Sequence, residues 1–405
     1  MVWRDDAPRR RRGRQSWSGP VLLGALLLTL PLALLGCDSG GSSNGGQTNT
    51  PPPVTTPPSP APTPNVAFVL TADPRNGVGS YSTVSLSTRN VSQDIQRGGV
   101  SSDAIARTFG GKVYVVNRLN ADNIQVIDPA QGFTTPANAQ VSVGNGTNPQ
   151  DIAFINANKA YVSRLEKTAR LLILNPTTLA TLGELDLSAR LKSNDRDGSP
   201  EATHMLVLNS LLYVVLQHLD NFVPIAAGEV VVIDPATDRI VTVITLPFRN
   251  PLSQLHFSAT LRRILVSCVG EFGVDDGGIV AIDPSTNTLD GTLHIPEAAL
   301  GGDITEFAII SSTKGVAIVS DASFNNAVIT FNPSNGQRLG TLIAPASTFI
   351  PYVALNSRNE VYIAVRDLRT TTPGLRVFDA VTDRDVVPGT LSVGLLPPIW
   401  IAFVE

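Results

Sequence analysis

The sequence has little of what usually announces chemistry. Its 405 residues include two cysteines and four histidines, and 16% of residues are charged, for a net charge of -4. So low and balanced a charge argues against a nucleic-acid surface, which would be strongly basic. The only concentrated basic run, Arg9 to Arg14, lies before an apolar segment at the N-terminus. His204, His218, His256 and His294 show neither the helical nor the finger spacing of metal ligands, although separate blades of one fold can still assemble a site. No Gly-x-Ser-x-Gly elbow, phosphate loop or dinucleotide fingerprint is present. Cys268 lies inside the apolar run Ile264 to Val269, where a thiol behaves as a small buried hydrophobe.

What the chain has is a repeat. From Pro149 to Ser188 four short apolar or β-branched runs are separated by turn residues: 151–154, 159–163, 170–175 and 181–185. That pattern reads as one four-stranded antiparallel blade. Its clearest mark is the corner after the third run, where Asp or Asn precedes Pro, at Asp128, Asn175, Asp234, Asp283 and Asn332. Pro fixes φ for the second position of a type I turn, and the acidic or amide side chain accepts from a backbone N–H further on. Successive corners are 47, 59, 49 and 49 residues apart, a blade-sized period with one insertion. Asp379-Ala380 and the decayed corner at Leu86-Ser87 bring the count to seven.

First runs begin near Asp103, Asp151, His204, Gln254, Ile304, Tyr352 and Ile399, and nothing follows the last. Conversely, Val66 to Leu70 resembles a second strand with no first strand before it. The resolution is an all-β, seven-bladed β-propeller over residues 65–405, closed by pairing of its N- and C-terminal strands. Closure removes the free strand edges that template aggregation.

The first 64 residues stand apart. A basic start, the run Val21 to Leu30 and Leu34-Leu-Gly-Cys37 read as a secretory signal over residues 1–36. The apolar run is short for a membrane span. Small residues before a cysteine resemble the lipobox of bacterial lipoproteins, which implies cleavage before Cys37 and lipidation of its thiol. Lipidation there would hold the protein on a membrane in the cell envelope, on the periplasmic or cell-surface side, and would leave Cys268 without an intramolecular partner. By the same resemblance, Asp38 after the lipidation site favours inner-membrane retention. Residues 37–64, rich in Gly, Ser and Asn and then in Pro and Thr, read as a tether that sets the propeller off the membrane.

Tyr114-Val-Val-Asn117, Tyr161-Val-Ser-Arg164, Tyr213-Val-Val-Leu216 and Tyr362-Ile-Ala-Val365, with the Ile-Asp-Pro corners, resemble the YVTN-type β-propeller repeat family of bacterial and archaeal surface proteins. The resemblance covers essentially residues 66–405 and implies fold; its motif residues belong to strands and corners and carry no chemistry.

Candidate site residues follow from the topology. First strands line the channel of a propeller, so the residues at their heads share one mouth: Asp103, Asp151, Glu201, His204, Gln254, His256, Asp303, Glu306 and Tyr352. Convergent carboxylates there would recruit a divalent cation such as calcium or a cationic ligand; capping of local turn amides is the competing role. Asp195 and Asp197, in an oxygen-rich insertion, resemble a calcium loop that lacks its leading Asp and has His204 where the bidentate Glu belongs. Asp275 and Asp276 beside glycines could hold a metal or form a hairpin turn. The expected function is a membrane-tethered, non-catalytic binding or scaffolding module that meets a protein or glycan partner at a loop face. The alternative is a metal-dependent, lactonase-like hydrolase at the channel mouth; a quinone-cofactor dehydrogenase has only Trp400 in its favour.

Overall fold

Second strands carry the architecture. Lys112–Asn117, Lys159–Arg164, Leu211–Leu216, Arg263–Cys268, Gly315–Ser320 and Glu360–Val365 are buried along nearly their whole length. Both faces of each strand are covered by neighbouring sheets, which is why the middles of these runs are apolar instead of alternating. The computed structural model describes residues 65–405 apart from 74, 76 and 367–372. The signal segment, Cys37 and the tether lie outside the described residues. Among the described residues, no helix is long and apolar enough to cross a membrane.

The sheets form seven blades. Blade 1 is Pro398–Val404, Val66–Asp73, Val78–Ser85 and Val91–Ser92, and its first strand comes from the C-terminus, with Val66 opposite Val404 and Leu70 opposite Trp400. Blade 2 is Ala104–Phe109, Lys112–Asn117, Asn123–Ile127 and Gln140–Ser142; blade 3 is Pro149–Asn156, Lys159–Arg164, Arg170–Leu174 and Thr181–Asp186. Blade 4 is Ala202–Leu208, Leu211–Leu216, Ala227–Asp234 and Arg239–Arg249; blade 5 is His256–Ser258, Arg263–Cys268, Gly278–Asp283 and Thr288–Pro296. Blade 6 is Asp303–Ile309, Gly315–Ser320, Asn326–Phe331 and Arg338–Ala346. Blade 7 has three strands, Tyr352–Leu355, Glu360–Val365 and Gly374–Asp379, with single bridges to Asp385 and Leu391 in place of a fourth. The apolar core lies between blades: one cluster joins blades 3 and 4 around Leu171 and Val214, the next joins blades 4 and 5 around Tyr213 and Ile264.

The corners form by local chemistry. The Oδ1 atoms of Asp128, Asn175, Asp234, Asp283 and Asn332 each accept from the N–H two residues on at 2.9 Å, and Asp379 does so at 3.0 Å without a proline. In blade 1, Ser85 Oγ takes over that part, accepting from Thr88 N at 3.2 Å.

The repeated tyrosine fastens one blade to the next. Tyr114 donates to Pro176 O (3.1 Å), Tyr161 to Asp238, and Tyr213 to Asn287 Oδ1 (2.5 Å), all at the corner of the following blade; Tyr362 accepts from Arg89. Blade 1 has Phe68 at this position, and Tyr81 from the adjacent strand packs on its ring (4.8 Å between centroids) and bonds Phe133 O at 2.6 Å. Cys268 is fully buried among blades 4 and 5, and burial pushes its thiol pKa up.

Candidate functional site

Bulges in the first strands decide what faces the channel. The register with the second strand shifts around Gln150 in blade 3, Thr203 and His204 in blade 4, Thr305 in blade 6 and Ile399 in blade 1. A bulge re-aims the side chain beside it. Here those side chains are Asp151, His204, Glu306 and Trp400.

Together with Arg107, Gln254, His256 and Tyr352 they form a cluster to which every blade contributes. Arg107 clasps Asp151 with two bonds (Nε to Oδ1 2.7 Å, Nη2 to Oδ2 2.8 Å) and reaches across to Gln254 Oε1. Asp151 also accepts from Ile152 N (2.8 Å) and Met205 N (2.9 Å), so both its oxygens are filled. Gln254 Nε2 donates to Tyr352 Oη at 2.7 Å, and His256 Nε2 lies 2.8 Å from Glu306 Oε1. His204 Nδ1 is 3.9 Å from Asp151 Oδ2, outside hydrogen-bond range, and has no partner among the described residues. Trp400 stacks on Tyr352 (centroids 3.8 Å apart), donates to Ala106 O and lies beneath the Arg107 guanidinium.

Burial is the largest influence on each charged member and opposes its charge. For Asp151 the adjacent Arg107 outweighs it and holds the carboxyl well below its usual range; for Arg107 the carboxylate holds the guanidinium pKa above its ordinary value. His256 does the same for Glu306, whose pKa is lowered despite burial. Burial pushes the Tyr352 phenol up. A cavity of about 350 Å³ adjoins the cluster where the first strands end, bordered by Arg107, His256, Tyr352 and Phe403. His256 and Glu306 have the spacing of a carboxylate-oriented general base. No serine, threonine or cysteine bonds to His256 among the described residues.

The mouth residues expected to converge divide into two groups. Asp151, His204, His256 and Glu306 meet in the channel cluster. Asp103, Glu201 and Asp303 stay apart, each engaged near its own strand. Asp103 pairs with Arg118, at 3.0 Å through Nε. Glu201 Oε2 accepts from Leu219 N at 2.5 Å while Oε1 is buried without a partner among the described residues, and burial, with Asp197 and Asp195 adding, pushes its pKa up to about 9. Asp303 Oδ2 accepts from Gly273 N at 2.9 Å. Asp195 Oδ1 caps Asp197 N and Gly198 N, and Asp197 Oδ1 caps Ser199 N. Asp276 accepts from Glu271 N and pairs with Arg249 at 2.8 Å, while Asp275 borders a second cavity. Among the described residues, no group of three or more His, Cys, Asp or Glu is placed to hold a metal ion. Arg107 went unnoticed in the sequence; a lone arginine inside the otherwise apolar first strand Ala104–Phe109 was the available signal.

The loops that lead into first strands lie at the same end as those joining second to third strands, because the blades are antiparallel meanders. Contacts between them define one leading face, among them Leu119 N to Asn148 Oδ1, Gly146 N to Asp122 Oδ2 and Arg366 N to Phe349 O. On it stand Phe222 (64% exposed), Phe349 (55%), Phe324 (47%) and Phe272 (37%), all from blades 4 to 7. Part of the 59-residue interval between the corners at Asn175 and Asp234 forms a small hairpin here, Leu219–Asp220 paired with Val223–Pro224. Its turn is Asn221-Phe222, both at positive φ (50° and 65°), a geometry that favours Asn-Gly. Phe324 also sits at φ 60°, in a loop held by Asp321, whose Oδ1 accepts from Ser323 N and Asn325 N at 2.9 Å.

Fold and site together define a seven-bladed propeller with a filled channel and a leading face that exposes four phenylalanines. No protein-family model matches the chain, and no curated protein matches it. Among solved structures it is similar to the computationally designed Ika8 protein, at 14% identity over 84% of this chain and 90% of that one with a TM-score of 0.49. It is also similar to BamB from Moraxella catarrhalis, at 17% identity over 74% of this chain and 79% of that one with a TM-score of 0.45.

Proposed function

We propose that this chain is a membrane-tethered cell-envelope lipoprotein whose propeller is a non-catalytic module docking a protein partner on its leading face. The signal-like start, Leu34-Leu-Gly-Cys37 and the tether of residues 37–64 support the anchor. One observation carries the docking reading: Phe222 and Phe324 are exposed aromatic side chains on left-handed backbone, unfavourable for stability on both counts. Folding alone would place glycine or asparagine there. With Phe272 and Phe349 on the same face, they offer the aromatic anchors that dominate protein interfaces. The test is crosslinking and capture from envelope extract by the full chain and by a variant with Phe222, Phe272, Phe324 and Phe349 all changed to Asn. Proteins retained by the first and lost by the second are expected; identical captures overturn the reading.

The alternative, a metal-dependent hydrolase at the mouth, needs ligands that converge, whereas Asp103, Glu201 and Asp303 bind within their own surroundings. Elemental analysis of the purified full chain, with melts before and after chelation, decides it. A stoichiometric divalent ion whose removal lowers the melting temperature would favour the hydrolase.

A further inference from the structure

The leading face carries a cavity of about 300 Å³ between blades 5 and 6. Its walls are small: Gly273, Gly301, Gly302 and Ala322. Gly302 is obligatory, since its φ is 134° and an added Cβ would come within 2.3 Å of Ser320 O. Its polar lining is Asp275, Asp303 and Ser320. Asp275 and Asp303 border the cavity, and of Asp303's two oxygens only Oδ2 accepts a hydrogen bond from the described residues. Glu297, 1% exposed and preceding the lining residue Ala298, accepts from Gly277 N through Oε1 and leaves Oε2 buried without a partner among the described residues. Arg249 is paired with Asp276, and Arg338, which packs near Gly301, donates to Thr341 Oγ1 at 2.9 Å. The rim is apolar: Phe272 and Val274 flank Gly273, whose loop packs against Ala322 two residues from Phe324.

We infer that this cavity receives one lysine or arginine side chain of the protein partner, with apolar residues on either side of it covering Phe272, Val274 and Phe324. The inference rests on the docking reading above and names the partner's chemistry. Charge complementarity carries it: Asp303, 1% exposed at the cavity wall with one oxygen taking no donor from the described residues, and the exposed Asp275 beside it, in a cavity with small walls, call for a cationic donor on a long, slender stem. A divalent metal ion would need several oxygens converging at one point, and no such group exists among the described residues. An ammonium or guanidinium group donates to separated oxygens one by one. Burial pushes Glu297 up to about 7 and Asp303 up to about 6, as for carboxyls still awaiting a counter-charge.

The test uses the full chain and short capped peptides with one central residue between leucines, that residue being lysine, arginine or the uncharged isostere norleucine. Titration by fluorescence anisotropy is expected to show the lysine and arginine peptides binding about tenfold more tightly than the norleucine peptide. That preference should fall below about threefold in the double variant Asp275→Asn/Asp303→Asn, where the introduced amides carry no charge yet keep a carbonyl oxygen to accept from Gly273 N. Phe324→Asn should weaken all three peptides alike. Equal binding of charged and uncharged peptides to the wild-type chain, or binding of none, overturns the inference without recourse to any variant. If the peptides bind equally and Phe324→Asn still weakens them, the docking reading stands and only the cationic seat fails. Calcium at about millimolar concentration binding stoichiometrically and displacing the lysine peptide would make the cavity a metal site and overturn the inference as well.

Discussion

Asp151 and Asp303 both stand near the head of a first strand, and both are buried. Asp151 receives four donors, two from Arg107 and two from backbone amides, whereas Asp303 receives one. The first has its pKa driven down and the second has it driven up to about 6. Two carboxylates at similar positions in the repeat thus do different work. In the channel, Asp151 is matched by Arg107 and Glu306 by His256 across neighbouring blades. At the leading face, carboxyl oxygens and phenylalanine rings are left unsatisfied, which is the condition of a surface that something else completes.

The largest effect should come from unbalancing the channel. Asp151→Asn strips the buried guanidinium of its counter-charge and is expected to lower stability by about 3 kcal/mol, because breaking a buried pair leaves an uncompensated ion. A urea-unfolding midpoint moved to lower denaturant, with part of the loss recovered in the double variant with Arg107→Met, would bear this out. A wild-type midpoint for Asp151→Asn would mean the channel cluster does not hold the ring.

The leading-face acids should respond in the opposite sense. Glu297 has its pKa raised from 4.5 to about 7, chiefly by burial. Between those values the folded chain binds more protons than the unfolded one, so the stability this group contributes is complete below about pH 4.5 and is lost as pH rises through 7. Glu297→Gln removes that loss. The variant should match wild type near pH 4.5 and exceed it by about 3 kcal/mol at pH 8. Parallel pH profiles for the two proteins would contradict the assignment of Glu297 as a carboxyl lacking a counter-charge.

How far this contrast could be read beforehand depends on the range of the forces involved. The Asp-Pro and Asn-Pro corners are local, each an acceptor meeting an amide two residues away, so their spacing exposed the blade period, and the unmatched strands at the two ends exposed the closure. The channel cluster is not local. Which residue of a first strand faces the axis depends on bulges beside Asp151, His204, Glu306 and Trp400, and a shift of one residue turns every side chain to the other face. Asp103 and Asp303 therefore looked equivalent to Asp151, and Arg107 went unseen. The tyrosines were recognisable as a motif, but their purpose, bonding the next blade's corner, required the ring.

The smallest effect is the sharpest test of the comparison, because it runs against the usual direction of mutation. In the hairpin Leu219–Pro224, Phe222 occupies a turn position at φ 65° where glycine costs nothing, and its ring is mostly exposed, so little packing offsets the strain. Phe222→Gly restores the favoured Asn-Gly turn and should raise stability by about 0.5–1 kcal/mol. Phe324→Asn should act similarly, since asparagine tolerates the left-handed region and Asp321 already organises the loop. Urea midpoints shifted upward at unchanged m, together with loss of partner capture, would show that these phenylalanines are kept at the expense of stability. A downward shift would mean the rings pack within their own loops, and the leading face would then be as self-satisfied as the channel.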